Sequence, residues 1–339
     1  MGEIGHPRDW IEVRREGVYC KAGDFYIDPM QPVATAIVTH GHADHARAGH
    51  GDVFATKETL AIMQARYGET HFTRAEHAMA YGDVLEINGV RVSLHPAGHI
   101  LGSAQARLEY AGASIVFSGD YKRRADPTCV PFAPVRCDVF VTEATFALPV
   151  FRHPPLEVEL ARLLGSLAQF PERCHLVGVY ALGKCQRMMV GLRQAGYGET
   201  IYLHGAMVRL CELYQDFGID LGPWAVVTPE TAKTLAGKIV LCPPSALNDR
   251  WSRKLPEVLT VAASGWMRIR ARAKQKGVEL PLVVSDHADW DELVQTLSDV
   301  GAPEVWVTHG RDDALVHIAG QMGLKAQALH LLGYEDDAE

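Results

Sequence analysis

The run VTHGHADHARAGH, residues 38–50, places His40, His42, Asp44 and His45 within six positions at the end of the β-prone segment TAIV. Alternate residues of an extended segment face the same way, so His40 and His42 can share one cation while Asp44 and His45 turn toward a second. Imidazole and carboxylate together suit zinc, and manganese or iron can occupy the same donor set. A merely solvated histidine loop would gain nothing from this spacing.

One motif cannot supply all the ligands of two ions. HPAGHILGS offers His95 and His99. His99, between Gly98 and Gly102, reads as an imidazole on a tight loop, whereas His95 lies inside VRVSLHP and reads as an ordinary strand histidine. Asp120 ends the strand-like SIVFSGD, where a carboxylate can bridge two cations. His309 in WVTHG stands at a further strand end, followed by glycine. The expected sites are His40, His42, His99 and Asp120 for one ion, and Asp44, His45, Asp120 and His309 for the other, closed by a shared water. Asp28 in DFYIDP reads either as a buttress accepting hydrogen bonds from the histidine loop or as a turn residue before Pro29.

These groups need elements that bring distant segments together. TAIVT ends on His40, SIVFSG on Asp120 and DVFVT on Glu143, a pattern that suits a site along one edge of a packed sheet. The first 145 residues read as short strands, TAIVT, VRVSLH, QARLEY, SIVFSGD and DVFVTE, interrupted by a helix at KETLAIMQARY. From about 150 to 262 helix and strand alternate: PPLEVELARLLGSLAQF, CHLVGVY, GKCQRMMVGLRQAG, TIYLHG, AMVRLCELYQDFG, KIVLC and VLTVAAS. This resembles a parallel α/β layer. After 280 the pattern resumes with LVVSDHADW, a helix at DELVQTLSDV, the strand EVWVTHG, a helix and a final strand AQALHLLG. The expected organisation is a discontinuous first domain, 1–149 and 279–339, with an α/β domain of 150–278 inserted into it.

Composition narrows the class. A chain of 339 residues, 47% hydrophobic, has ample material for a core, and no stretch approaches the roughly 18 uninterrupted apolar residues of a membrane helix. The first 20 residues lack the apolar stretch of a secretory signal. Seven scattered cysteines without a CxxC pair read as reduced thiols, so a cytoplasmic protein without membrane contact is expected. The net charge of −8 argues against a protein coated in positive charge and leaves local runs to decide. Between Val258 and Val278 there is no acidic residue, while Arg268, Arg270, Arg272, Lys274 and Lys276 precede the SDH sequence. YKRR, which includes Lys122, follows Asp120 at once. Such runs read as solvated surface or, abutting candidate ligands, as a track for phosphates. Ser264 and Gly265 could donate to a phosphate from a tight loop, and Trp266 could stack on a base or fill core.

In the order Asp28, HxHxDH, His99, Asp120 and His309 the chain resembles the metallo-β-lactamase superfamily, and more specifically the β-CASP nucleases. Glu143 in VTEATF, His287 in SDHADW and His309 in THG match the three late motifs of that branch. VYALGKCQR is similar to its ALGRAQE segment, with Lys184 in place of arginine and Arg187 where an acid is common, which leaves Lys184 a phosphate candidate. GDFYIDP, THGHADHARAGH, ASGWMRIR and SDHADW together resemble the bacterial ligase-associated DNA exonucleases, nearly end to end.

The resemblance implies an α/β fold, a metallo-β-lactamase αββα sandwich with an inserted β-CASP α/β domain. It also implies two divalent metal ions and hydrolysis of DNA phosphodiesters at single-stranded or duplex ends in repair, with a DNA ligase and a helicase as partners. In that setting His287 is the candidate general acid, oriented by Glu143, or else a further metal ligand. Asp44 joins them in the candidate catalytic set. A ribonuclease of the same architecture is the alternative, because a histidine at the third late motif is commoner among RNA enzymes of the branch. A small-molecule metallo-hydrolase is a weaker one, having no use for so large an insertion.

Overall fold

The computed structural model describes residues 5–68, 73–275 and 277–329; Lys276, the end of the segment AQALHLLG and the acidic tail lie outside these residues. The described chain divides into two compact units, one formed by the segments up to Val150 and from His287 onward, the other by Phe151–Asp286.

In the first unit, β1 (Ile11–Arg14), β2 (Gly17–Cys20), β3 (Phe25–Ile27), β4 (Thr35–Ile37), β5 (His50–Ala55) and β6 (Thr73–Ala78) lie side by side in chain order. The first pairings are antiparallel, and those from β3 onward are parallel. α1 (Lys57–Tyr67) links β5 to β6. Its amino end is capped by Thr56, whose hydroxyl accepts the Thr59 N–H at 3.2 Å.

A second sheet begins as an antiparallel meander, β7 (Val84–Ile87), β8 (Val90–Pro96), β9 (Ala104–Tyr110) and β10 (Ala113–Phe117). β11 (Val139–Ala144) then joins parallel to β10. Every residue of β10 and β11 is buried, the mark of strands covered on both faces.

The second unit holds α2 (Leu156–Gln169), β12 (Cys174–Gly178), α3 (Lys184–Gln194), β13 (Ile201–Leu203), α4 (Gly205–Asp216), β14 (Trp224–Val226), β15 (Ile239–Cys242), β16 (Val258–Ala263), α5 (Arg270–Gln275) and β17 (Leu280–Leu282). Its strands form one all-parallel sheet in the order β14-β13-β15-β12-β16-β17. β17 corrects the expected boundary. The segment read as the start of the returning domain pairs with β16, so the inserted unit runs to Asp286 rather than to 278. A short apolar strand reveals its type in the sequence but not which of two sheets offers it an edge.

The chain returns with α6 (Trp290–Val300), β18 (Glu304–Gly310), α7 (Asp313–Gln321) and β19 (Lys325–Ala328). β18 and β19 complete the second sheet, whose order is β19-β18-β11-β10-β9-β8-β7.

Three apolar clusters set the layers of the first unit. Ile11, Val18, Ile27 and Ile37 of the first sheet meet Leu94, Ala106, Ile115, Val141 and Trp306 of the second, so the two sheets face each other. On the far side of the second sheet, Val116, Phe140, Val305 and Val307 pack against Leu293 and Leu297 of α6 and Leu315 and Ala319 of α7. On the far side of the first, Ala36, Val53 and Ala55 pack against Leu60 and Met63 of α1. The result is a four-layer αββα sandwich, two sheets that each bury one face on helices and one on the other sheet.

All seven cysteines are unbridged. Among the described residues no helix is long and apolar enough to cross a membrane. Phe140 is fully buried between the second sheet and its helices. Phe140→Ala is expected to destabilise the protein by about 3–5 kcal/mol, read as an earlier loss of circular dichroism in urea; an unmoved transition would contradict this layering.

Candidate metal centre

The histidine loop leaves the end of β4 and is tied down by one buried carboxylate. Asp28 Oδ1 accepts the Thr39 N–H at 2.7 Å, while Oδ2 accepts the Thr39 hydroxyl at 2.6 Å and the His45 Nδ1–H at 2.7 Å. Both ends of the loop therefore hang from the same side chain, and the buttressing alternative for Asp28 is the one its contacts match. Thr39 Oγ1 also lies 3.1 Å from His40 Nδ1. With the Nδ1 edges of His40 and His45 engaged, their Nε2 atoms stand 3.4 and 3.5 Å from Asp120 Oδ2.

His99 arrives on the loop after β8. Gly98 has φ 71°, and a Cβ there would overlap the Lys122 carbonyl oxygen, so the approach requires glycine. Ser103 Oγ accepts the N–H groups of His99 at 3.0 Å and Ile100 at 3.2 Å, holding the turn closed. His99 Nε2 then lies 2.9 Å from His42 Nδ1 and 3.8 Å from Asp120 Oδ2.

His309 is aimed by a bulge. In the parallel pairing of β11 and β18, Glu143 faces Thr308 and Ala144 faces Gly310, so His309 is the extra residue, with φ 53°. A side chain at Gly310 would overlap the Ala144 carbonyl, which keeps that position open for the bulge. The His309 ring lies 5.0 Å from the His45 ring, tilted by 30°.

The donor atoms gather into two groups. Those of His40, His42, His99 and Asp120 all lie within 4.8 Å of one another, as do those of Asp44, His45 and Asp120. His309 stands beside the second group without closing into it at that distance. The His40 Nε2 atom is buried and, beyond its 3.4 Å approach to Asp120 Oδ2, makes no hydrogen bond among the described residues, an arrangement a cation would relieve. The residues thus fit two divalent ions sharing Asp120, with the nitrogen and oxygen donors that zinc or manganese takes.

The charges fit the same picture. Burial opposes ionisation of Asp120, yet His45, His287 and His40 hold it well below the usual carboxylate range. Asp44 is likewise lowered against its burial, chiefly by His45. Burial would strip the proton from His45, but the Asp120, Asp44 and Asp28 carboxylates push it up to about 10. Burial and the neighbouring His45 charge bring His309 down to about 4. A cation entering the second group must therefore displace the His45 proton.

Glu143 and His287 adjoin this centre. Glu143 Oε2 accepts the His287 Nδ1–H at 3.0 Å, Glu143 Oε1 accepts the Tyr121 N–H at 2.8 Å, and His287 Nδ1 is 3.9 Å from Asp120 Oδ2. Asp120, Glu143 and His287 form a three-donor group of their own.

Several expected phosphate contacts lie elsewhere. Lys122 is 2% exposed, and its Nζ donates to Glu292 Oε2 at 2.6 Å and to the His287 carbonyl at 2.8 Å. Arg123 and Arg124 of the same run pair with Asp299 at 2.5 Å and Asp289 at 2.8 Å. The run looked free in the sequence because its acidic partners sit on and before α6, far along the chain. Lys184 is fully buried, 3.4 Å from Asp286 Oδ1, and Arg187 Nη1 donates to the Ser285 carbonyl at 2.7 Å. Both therefore hold the end of the second unit's chain and present no charge to solvent.

Ser264 Oγ accepts the Trp266 N–H at 3.3 Å as a helix cap, and Gly265 is buried. Trp266 packs edge-on to Phe151 at 5.1 Å and under the Arg272 guanidinium at 4.0 Å, which leaves its face to core and cation and not to a base. Arg268 and Arg270 are exposed, and Lys276 lies outside the described residues. Thr39 and Ser103 went unnoticed in the sequence. Glu292 was readable, since Asp289 and Glu292 form a capping box at the start of α6.

Asp28→Ala removes no candidate ligand but frees both ends of the histidine loop. It is expected to weaken zinc binding about 10–100-fold, measured by competition with a fluorescent chelator; unchanged affinity would contradict the buttress.

No family model matches the chain. A probable DNA ligase of Opitutus terrae is 29% identical over 332 residues, which cover 94% of this chain and 31% of the ligase. An endoribonuclease of Emericella nidulans is 26% identical over 414 residues, covering 86% of this chain and 46% of that protein. Cleavage and polyadenylation specificity factor subunit 3 of Dictyostelium discoideum is 31% identical over 215 residues, covering 52% of this chain and 27% of that protein. The chain spans less than half the length of each of these relatives. A crystallised protein of unknown function from Enterococcus faecalis shares the fold, with a TM-score of 0.58 at 15% identity over 88% of this chain and 80% of that one. These similarities, the αββα sandwich and the His/Asp cluster around Asp120 give the chain its relatives, the β-CASP metallo-β-lactamase proteins, at 26–31% identity.

Proposed function

We propose that the protein is a metal-dependent nuclease that hydrolyses DNA phosphodiester bonds from an end, with two divalent ions, zinc first and manganese second, held around Asp120. The observation that carries this reading is the convergence of His40, His45, His99 and His287 on Asp120 Oδ2, at 3.4, 3.5, 3.8 and 3.9 Å. His40, His42, His99 and Asp120 would hold one ion, and Asp44, His45, Asp120 and His309 the other. When bound, the ions supply Lewis acidity that lowers the pKa of water toward neutrality and offsets phosphate charge.

The chain's own groups account for the remaining chemistry. Glu143 accepts the Nδ1–H of His287, which fixes the ring and leaves Nε2 facing outward from that bond. Nε2 is then the atom that delivers a proton to the departing sugar oxygen. Exposed Arg268 and Arg270 in the second unit provide positive charge of the kind a polyanion needs.

The choice of DNA rests on the similarity to a probable DNA ligase over 94% of this chain, which also supports action alongside a ligase in repair. The similarity to an endoribonuclease favours a second reading, cleavage of RNA by the same centre.

End-labelled single-stranded DNA, duplex DNA and RNA, incubated with the zinc- or manganese-loaded protein, separate these readings. DNA shortened progressively from an end, RNA intact and all cleavage stopped by a chelator are expected. RNA cleaved while both DNAs survive would replace the first reading by the second. His287→Ala is expected to keep both metals and lose about 10²–10⁴-fold in kcat; loss of a metal instead would make His287 a ligand.

A further inference from the structure

We infer that Lys122 is the positioning residue for His287, holding the backbone of that histidine so that its ring meets Glu143; this rests on the proposed role of His287. The Lys122 ammonium is buried beside the backbone it fixes. Its Nζ donates to the His287 carbonyl at 2.8 Å and to Glu292 Oε2 at 2.6 Å. The same Glu292 carboxylate accepts the Asp289 N–H at 3.0 Å, so Lys122 is joined to the capping box that starts α6.

One residue before Lys122, the Tyr121 carbonyl accepts the Ala288 N–H at 2.6 Å, and Tyr121 N–H donates to Glu143 Oε1. The segment Asp120–Lys122 therefore grips the backbone of residues 287 and 288 through one side-chain and one backbone contact, while Glu143 ties that segment to the His287 ring. Asp120, the shared carboxylate, begins the same segment. The clamp sets where His287 stands relative to the metal centre without itself being a ligand.

Stability gives little reason for a charge here. Burying an ammonium and a carboxylate carries a desolvation cost that their attraction must return, and well-packed neutral pairs commonly match or exceed such a pair. A buried pair kept in that position specifies one arrangement of the loop it touches. An ammonium reaches a backbone carbonyl and a carboxylate at once, which a methionine of the same length cannot do.

The test is the double variant Lys122→Met with Glu292→Gln, which leaves no buried charge unpaired. In the zinc-loaded protein it is expected to bind metal with wild-type stoichiometry while kcat on DNA falls about tenfold or more with KM unchanged. On a p-nitrophenyl ester of thymidine monophosphate, whose leaving group departs without a proton, the loss is expected to be under about twofold. An equal loss on both substrates would overturn the inference, as would an unchanged kcat on DNA.

A second measurement does not depend on turnover. The Nδ1 proton of His287, assigned in NMR spectra by its absence in His287→Gln, is expected to exchange with water about tenfold faster or more in the double variant. Exchange at the wild-type rate would overturn the inference even if DNA proved not to be the substrate, whereas wild-type protein inert to DNA and RNA with accelerated exchange in the variant would sink only the nuclease reading. Should the double variant not fold, Glu292→Gln alone is read by the same signal, with faster exchange expected and an unchanged rate contradicting the clamp.

Discussion

Asp120 Oδ2 is the atom on which the first unit's chemistry converges. Four imidazoles from three separate stretches of chain approach it, two from the loop after β4, one from the loop after β8 and one from the segment before α6. That carboxylate is buried, and the imidazoles around it, His45 foremost, hold it in its ionised form. The surrounding structure can be understood as what it takes to hold those groups in place. Asp28 ties both ends of the histidine loop, Ser103 closes the His99 turn, and the bulge opposite Glu143 and Ala144 turns the His309 ring toward His45.

The αββα layering supplies that rigidity. The fully buried strands β10 and β11 leave the core at Phe117 and Ala144, so the loops carrying Asp120 and the bulged edge of Glu143 begin from fixed points. A loop anchored at both ends by the Asp28 carboxylate, and another closed by the Ser103 hydroxyl and a glycine-permitted close approach, have few alternative conformations, and that suits a site whose ligands must meet within a few tenths of an ångström. Positive φ at Asp28 and His309 marks where the backbone departs from ordinary geometry to achieve this.

Much of this was legible in the sequence because the groups are local or repeat a local pattern. HxHxDH packs four donors into one loop, and strand, glycine and acid or imidazole recur at Asp120 and His309. The alternating helices and strands of the second unit were equally visible from hydrophobic period. What failed depended on partners distant in the chain. YKRR looks like an open basic run until α6 brings Glu292, Asp289 and Asp299 against it, and Lys184 looks like a phosphate ligand until it is found buried beside Asp286. β17 failed for a similar reason, since three apolar residues carry no mark of the sheet they join. Local pattern specifies donor type and element type, while pairing of charges and choice of sheet are tertiary facts.

The most direct measurement is anomalous X-ray diffraction at the zinc edge on crystals of the zinc-loaded protein. Two peaks on either side of the Asp120 carboxylate are expected, one among His40, His42 and His99 and one among Asp44, His45 and His309. A single peak, or zinc bound elsewhere with Asp120 turned away from it, would contradict the shared-carboxylate centre.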